Sequence, residues 1–129
     1  MRLLADTWSY LVDGANWSGD GGMLDLLLQQ LLLSVTALAL AMLVGLPVAL
    51  WLGHLGRGGF LAINLTNIGR AVPTFALLAL FVTADFPGRA DFGPFGRAGL
   101  ATLIALTLFA LPPIITNSYV AVREVPADV

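Results

Sequence analysis

The stretch "LLLSVTALALAMLVGLPVALWL", residues 31–52, contains no charged side chain. As an α-helix its 22 residues reach roughly 33 Å at about 1.5 Å each, enough to cross a hydrocarbon layer of about 30 Å. Gly45 and Pro47 would interrupt a helix in water. Among packed membrane helices, neighbours can take up the carbonyls that such residues free. This stretch therefore sets the expected class of the chain as all-α and membrane-embedded.

The remainder of the sequence agrees. Of 129 residues, 58% are hydrophobic and 11% charged, and the mean hydropathy is +0.89. Soluble domains carry about 25% charged residues, and a domain this small could not bury so much apolar surface by itself. Two more long apolar segments follow, Phe60 to Ala84 with Arg70 as its single charge, and Ala98 to Val122 with none. They give expected spans at about 28–53, 60–84 and 98–122. Pro112 and Pro113 are expected to kink the third. The segments are too long, and too little alternating, for the strands of a membrane barrel.

Polar connections separate them: "GHLGRGG" at 53–59 and "DFPGRADFGPFGR" at 85–97. At the start, "LLADTWSYLV" (3–12) places Leu4, Trp8 and Leu11 on one helical face. With Tyr10 and Trp17 it suits a short interfacial helix, and a frayed tail is the other reading. Arg2, Asp6, Asp13 and Asp20 are unlike the basic start of a signal peptide. No internal repeat stands out.

Several chemistries are excluded or unsupported. A net charge of −2 lacks the basic stripe of a nucleic-acid binder. The absence of cysteine excludes disulfides and thiolate metal sites. His54 is the single histidine, and no acid or histidine cluster suggests catalysis, a metal or a cofactor. The loop 53–59 is glycine-rich but lacks the phosphate-loop pattern. "NWS" (16–18) and "NLT" (64–66) match glycosylation sequons, which short sequences produce by chance.

The polar residues of the second segment are the candidate site. Twenty residues ending at Ala84 begin at Leu65, which places Arg70 about 7.5 Å inside the boundary. It can snorkel as an anchor, or face a polar cavity or a partner acid. Asn64, Asn67, Arg70, Pro73 and Thr74 are candidates for a translocation path or for helix packing, as is Asn117 in the third segment. Charges orient the chain weakly. With the 53–59 loop inside, Arg57, Arg70 and Arg123 lie on that side, against Arg89 and Arg97 outside.

In order, these pieces resemble the permease subunits of binding-protein-dependent ABC importers. "GLP" (45–47) resembles the turn in their first core span, Pro73-Thr74 the pair that opens their second, and "LPPIITNSYVAVREVP" (111–126) the exit of their third. The resemblance is greatest to permeases for the osmoprotectants glycine betaine, carnitine and choline, which often carry an "NWsG…G" segment like Asn16 to Gly22. It departs at Gln30, where many relatives have histidine.

The resemblance implies a fold like that of methionine-importer permeases, with residues 24–129 as a partial transmembrane domain and 1–23 as an extracytoplasmic or interfacial segment. It implies a bacterial inner-membrane location and an N-terminus outside. It also implies three protein partners besides lipid: a separate ATPase subunit, an extracytoplasmic solute-binding protein and a second permease subunit. The chain is expected to be an N-terminal fragment that stops before the Glu-Ala-Ala loop, which meets the ATPase. A small three-helix accessory membrane protein is the competing reading, and a membrane enzyme fragment a weaker one.

Overall fold

The computed structural model describes residues 2–56, 59, 60, 64, 67, 71, 74–90, 92–96 and 98–125. Among them every regular element is helical: α1 (Arg2–Val12), α2 (Met23–Leu55), α3 (Thr74–Thr83) and α4 (Gly99–Glu124), with 3₁₀ turns at Gly14–Asn16 and Gly93–Phe95. The chain forms two compact units, Met1–Leu33 and Ser34–Val129, and α2 runs through the boundary between them.

In the first unit, polar side chains close the backbone where helices end. The last four carbonyls of a helix have no partner within it. At the end of α1, Ser9 O accepts from the Asp13 N–H at 3.1 Å. Tyr10 O accepts from Asn16 Nδ2 at 3.0 Å and Leu11 O from Trp17 Nε1 at 2.7 Å. The Asp13 carboxylate accepts from the Ala15 N–H and caps the 3₁₀ turn. The chain then turns through Gly19 and Gly21, whose φ values of 97° and 80° favour glycine. Asp25, in the first turn of α2, accepts at Oδ2 from the Gly21 N–H and from Gln29 Nε2, both at 3.0 Å. A carboxylate also suits that end of a helix electrostatically.

Two helices, α2 and α4, are long and apolar enough to cross a membrane. They have 33 and 26 residues, or about 50 and 39 Å. Both stay helical through their prolines, Pro47 in α2 and Pro112 and Pro113 in α4. The expected second span reaches α3, whose 10 residues cover only about 15 Å. Upstream, Gly59, Phe60, Asn64, Asn67 and Ala71 are helical, and residues 61–63, 65–66, 68–70 and 72–73 lie outside the described residues. Within the second unit α3 packs on α4.

The exterior is apolar. Leu38, Leu43, Leu50 and Trp51 of α2 and Phe109 of α4 are all at least half exposed. Among the described residues no polar or charged side chain is buried. Hydroxyls inside the helices turn back on their own backbone: Thr83 donates to Ala79 O, Thr102 to Ala98 O and Thr107 to Leu103 O. Apolar side chains turned outward, with these hydroxyls satisfied by their own backbone, suit a lipid surrounding.

Candidate translocation and helix-packing site

The best-defined packing surface is a row of small residues on α2. Ala37, Ala41, Gly45, Ala49 and Gly53 recur every four residues and are all buried. Residues four apart share one face of a helix, so the row forms a shallow channel along α2. In the second unit α4 occupies it. A Cβ on Gly45 would lie 3.0 Å from Ile114 Cγ2 and 3.4 Å from Leu111 Cδ2. A Cβ on Gly53 would lie 2.7 Å from Val122 Cγ1, closer than carbon atoms pack. Glycine at 53 is thus a steric requirement of the contact. Close backbone approach over small side chains is the usual way membrane helices associate, since lipid gives no hydrophobic drive.

These contacts also fix direction. From Gly45 to Gly53 along α2 the partner moves from Ile114 to Val122 along α4. At the other end Ser34, Ala37 and Leu38 share a groove of about 260 Å³ with Leu106, Phe109 and Ala110. Numbering rises together on both helices, so they run parallel. They end together as well. Gly56, at φ 66°, closes α2 with its N–H on Gly53 O, and a Cβ there would lie 3.2 Å from Arg123 Nη1. The guanidinium therefore sits beside the carbonyl end of α2, in the last turn of α4, where a cation is favoured.

Asn64 is half-buried, and its Nδ2 donates to Phe60 O at 2.8 Å, so it serves its own helix. Asn67 is helical and exposed. Arg70 and Pro73 lie outside the described residues, as does the side chain of Thr74, which opens α3. Asn117 is exposed on α4, on the face that also carries the exposed Phe109, Pro113 and Val120. It is an exposed polar group among apolar ones. The groove lined by Ala39, Met42, Leu43, Leu46 and Pro47 offers no charge or aromatic cage for a cation. Among the described residues no group of acids and histidines could hold a metal.

The small-residue row is the feature that motif reading missed. Its signal was in the sequence, as alanine or glycine at every fourth position from 37 to 53. Read from the sequence, Gly45 is a helix breaker and part of the Gly45-Leu46-Pro47 turn, and not a packing position.

These features define a helical membrane-type chain built around a close parallel helix pair. No protein-family model matches it, and no solved structure matches it significantly. Curated proteins do. The chain is 30% identical over 98 residues to the glycine betaine/proline betaine transport system permease protein ProW of Escherichia coli, covering 76% of the chain and 25% of that protein. It is 26% identical over 97 residues to the choline transport system permease protein OpuBB of Bacillus subtilis, covering 75% and 40%. It is 29% identical over 102 residues to the osmoprotectant import permease protein OsmY of Salmonella typhimurium, covering 78% and 39%. The chain thus spans a quarter to two fifths of the length of these relatives. These relatives are permease proteins of transport systems for glycine betaine, choline and other osmoprotectants.

Proposed function

We propose that this chain is part of the transmembrane domain of a permease subunit of an ATP-driven importer for glycine betaine, choline or carnitine-type solutes. Its similarity to permeases of that group over about three quarters of its length carries the reading. ATP hydrolysis then belongs to a separate ATPase subunit, and solute is delivered by an extracytoplasmic binding protein. A second permease subunit completes the pathway. Residues 24–129 form part of the transmembrane domain, and 1–23 an extracytoplasmic or interfacial segment.

Three spans and a short N-terminal interfacial helix follow in this reading, and the parallel pair supports the count. Chain that leaves α2 at one membrane face must enter α4 from the other, so the connection has to cross back. Phe60 to Ala84 is apolar enough to do so, and only a helix can cross lipid without stranding backbone groups. With the N-terminus outside, the 53–59 loop and Arg123 face the cytoplasm. Arg70 then anchors the second span near that face, and Asn64, Asn67, Pro73 and Thr74 line the same span as packing or pathway residues. Asn117 faces further helices of the assembly.

A chimera tests this. Residues 24–125 replace the matching segment of the E. coli relative in a transporter-deficient strain, and radiolabelled glycine betaine uptake is measured beside membrane abundance. Saturable uptake that depends on the ATPase and binding protein is expected, and Arg70→Lys should retain most of it, because lysine also snorkels. A chimera present in the membrane at normal abundance with uptake at the empty-vector level overturns the reading.

A further inference from the structure

The first unit shows where α1 is held and what it presents. Trp17 joins two helices. Its indole N–H donates to Leu11 O at 2.7 Å, and its carbonyl accepts from the Leu24 N–H at 3.3 Å. The end of α1 is therefore fixed at the first turn of α2. The last charge before the uncharged run of α2 is Asp25, so the lipid boundary falls at or just beyond that turn. α1 is held at the membrane edge.

All of α1 is exposed within the structure. At about 100° per residue, Leu4, Trp8 and Leu11 fall within one narrow sector, with Leu3, Tyr10 and Val12 on its flanks. Leu4 and Trp8 are 79% and 70% exposed, a large apolar area for water to cover. Arg2, Asp6 and Ser9 share the opposite sector, which Asp13 extends. That face holds one guanidinium and two carboxylates, and Asp20 and Asp25 follow in the connection. Helices that lie on anionic membranes carry lysine and arginine on this face. Here the sign is reversed.

We propose that α1 docks on the lipid surface with Leu4, Trp8 and Leu11 towards the acyl chains, and that its acidic face selects electrically neutral phospholipid over anionic phospholipid. The proposal rests on the membrane-spanning reading of α2 and on the interfacial placement of α1, and is independent of the transported solute. Binding comes from apolar burial, and the carboxylates are repelled by a negative surface within a Debye length of about 10 Å at 0.1 M salt.

The chain has no cysteine, so single spin labels report position cleanly. The full chain is reconstituted with a label at Leu4→Cys, Ser9→Cys or Leu43→Cys, and accessibility to oxygen and to a water-soluble nickel chelate is compared. In phosphatidylcholine vesicles the label at position 4 is expected to favour oxygen and that at position 9 nickel. In phosphatidylglycerol vesicles at low salt, the docked-to-undocked ratio at position 4 should fall about fivefold for each net negative charge near the surface. Asp6→Asn with Asp13→Asn should remove most of that fall. Equal nickel access at positions 4 and 9 in phosphatidylcholine overturns the docking, as does shielding of position 4 from both probes, which would mean a protein partner. Equal docking in both lipids overturns the selectivity. A label at Leu43, which is 72% exposed on α2, separates these results from failure of the membrane reading, because it favours oxygen only if α2 is embedded.

Discussion

The connection from α1 into α2 and the contact between α2 and α4 are built by opposite means. In the first, side chains of Asp13, Asn16, Trp17 and Asp25 close backbone groups by hydrogen bonds, and Asp25 also accepts from Gln29. In the second, contact depends on side chains that are nearly absent, Gly45 and Gly53 against Ile114 and Val122. The solvent explains the difference. Helix ends near water leave N–H and C=O groups that local side chains can satisfy. Within lipid the backbone is already satisfied, apolar side chains gain nothing by leaving their surroundings, and only close packing favours one partner over another.

The contrast predicts where each region breaks. The largest effect is expected at Gly53. Gly53→Leu drives a side chain into Val122 and should destabilise the α2–α4 contact by about 3 kcal/mol, at the upper end for overpacking. The measurement is thermal or denaturant stability of the reconstituted chain, with Val122→Ala added as a second change that should recover part of the loss. Unchanged stability of Gly53→Leu would show that this contact does not hold the pair together. Leu43→Ala, on the exposed side of α2, should cost far less, because lipid replaces the lost contacts.

An intermediate effect is expected at Asp25. Asp25→Ala removes the acceptor for both the Gly21 N–H and Gln29 Nε2 and should cost about 1.5 kcal/mol locally. Amide exchange at Gly21 should quicken by about tenfold while exchange in α4 stays unchanged. Faster exchange spread evenly over both units would contradict a local role. The smallest effect belongs to Trp17. Trp17→Phe keeps the ring and deletes the donor to Leu11 O, at about 1 kcal/mol. It should loosen the last turn of α1, seen as a lower helical order parameter at residues 9–12. An unaltered α1 would mean that Asn16 and the Asp13 N–H suffice to close it.

Much of this molecule could be read before any coordinates. The uncharged runs at 31–52 and 98–122 became the bodies of α2 and α4, since lipid imposes both length and composition. The helix α2 begins at Met23, five residues before the expected span at 28–53, and Asp25 and Gln29 bond along its first turns. Polar residues at a helix start look like loop in a hydropathy profile. Arg70, Pro73 and the asparagines are conspicuous in the sequence because such residues are rare in apolar segments, whereas the buried row on α2 consists of alanine and glycine, which are common there. Asn64 carried a donor to Phe60 O that no motif announces.

What the sequence determined by itself is the class: helices long and apolar enough to need lipid, and an order of short motifs matched by osmoprotectant permeases. Periodicity could suggest more, since small residues at every fourth position define a face. It could not say what meets that face. In a helix apolar on all sides, polarity does not point inward, so burial has to be decided by shape between segments distant in sequence. Only the tertiary structure placed Ile114 over Gly45 and Val122 over Gly53, and so made the first and last long helices parallel. Likewise only it placed the Trp17 indole on Leu11 O, because a hydrogen bond depends on where two atoms come to rest, and residue types alone do not fix that.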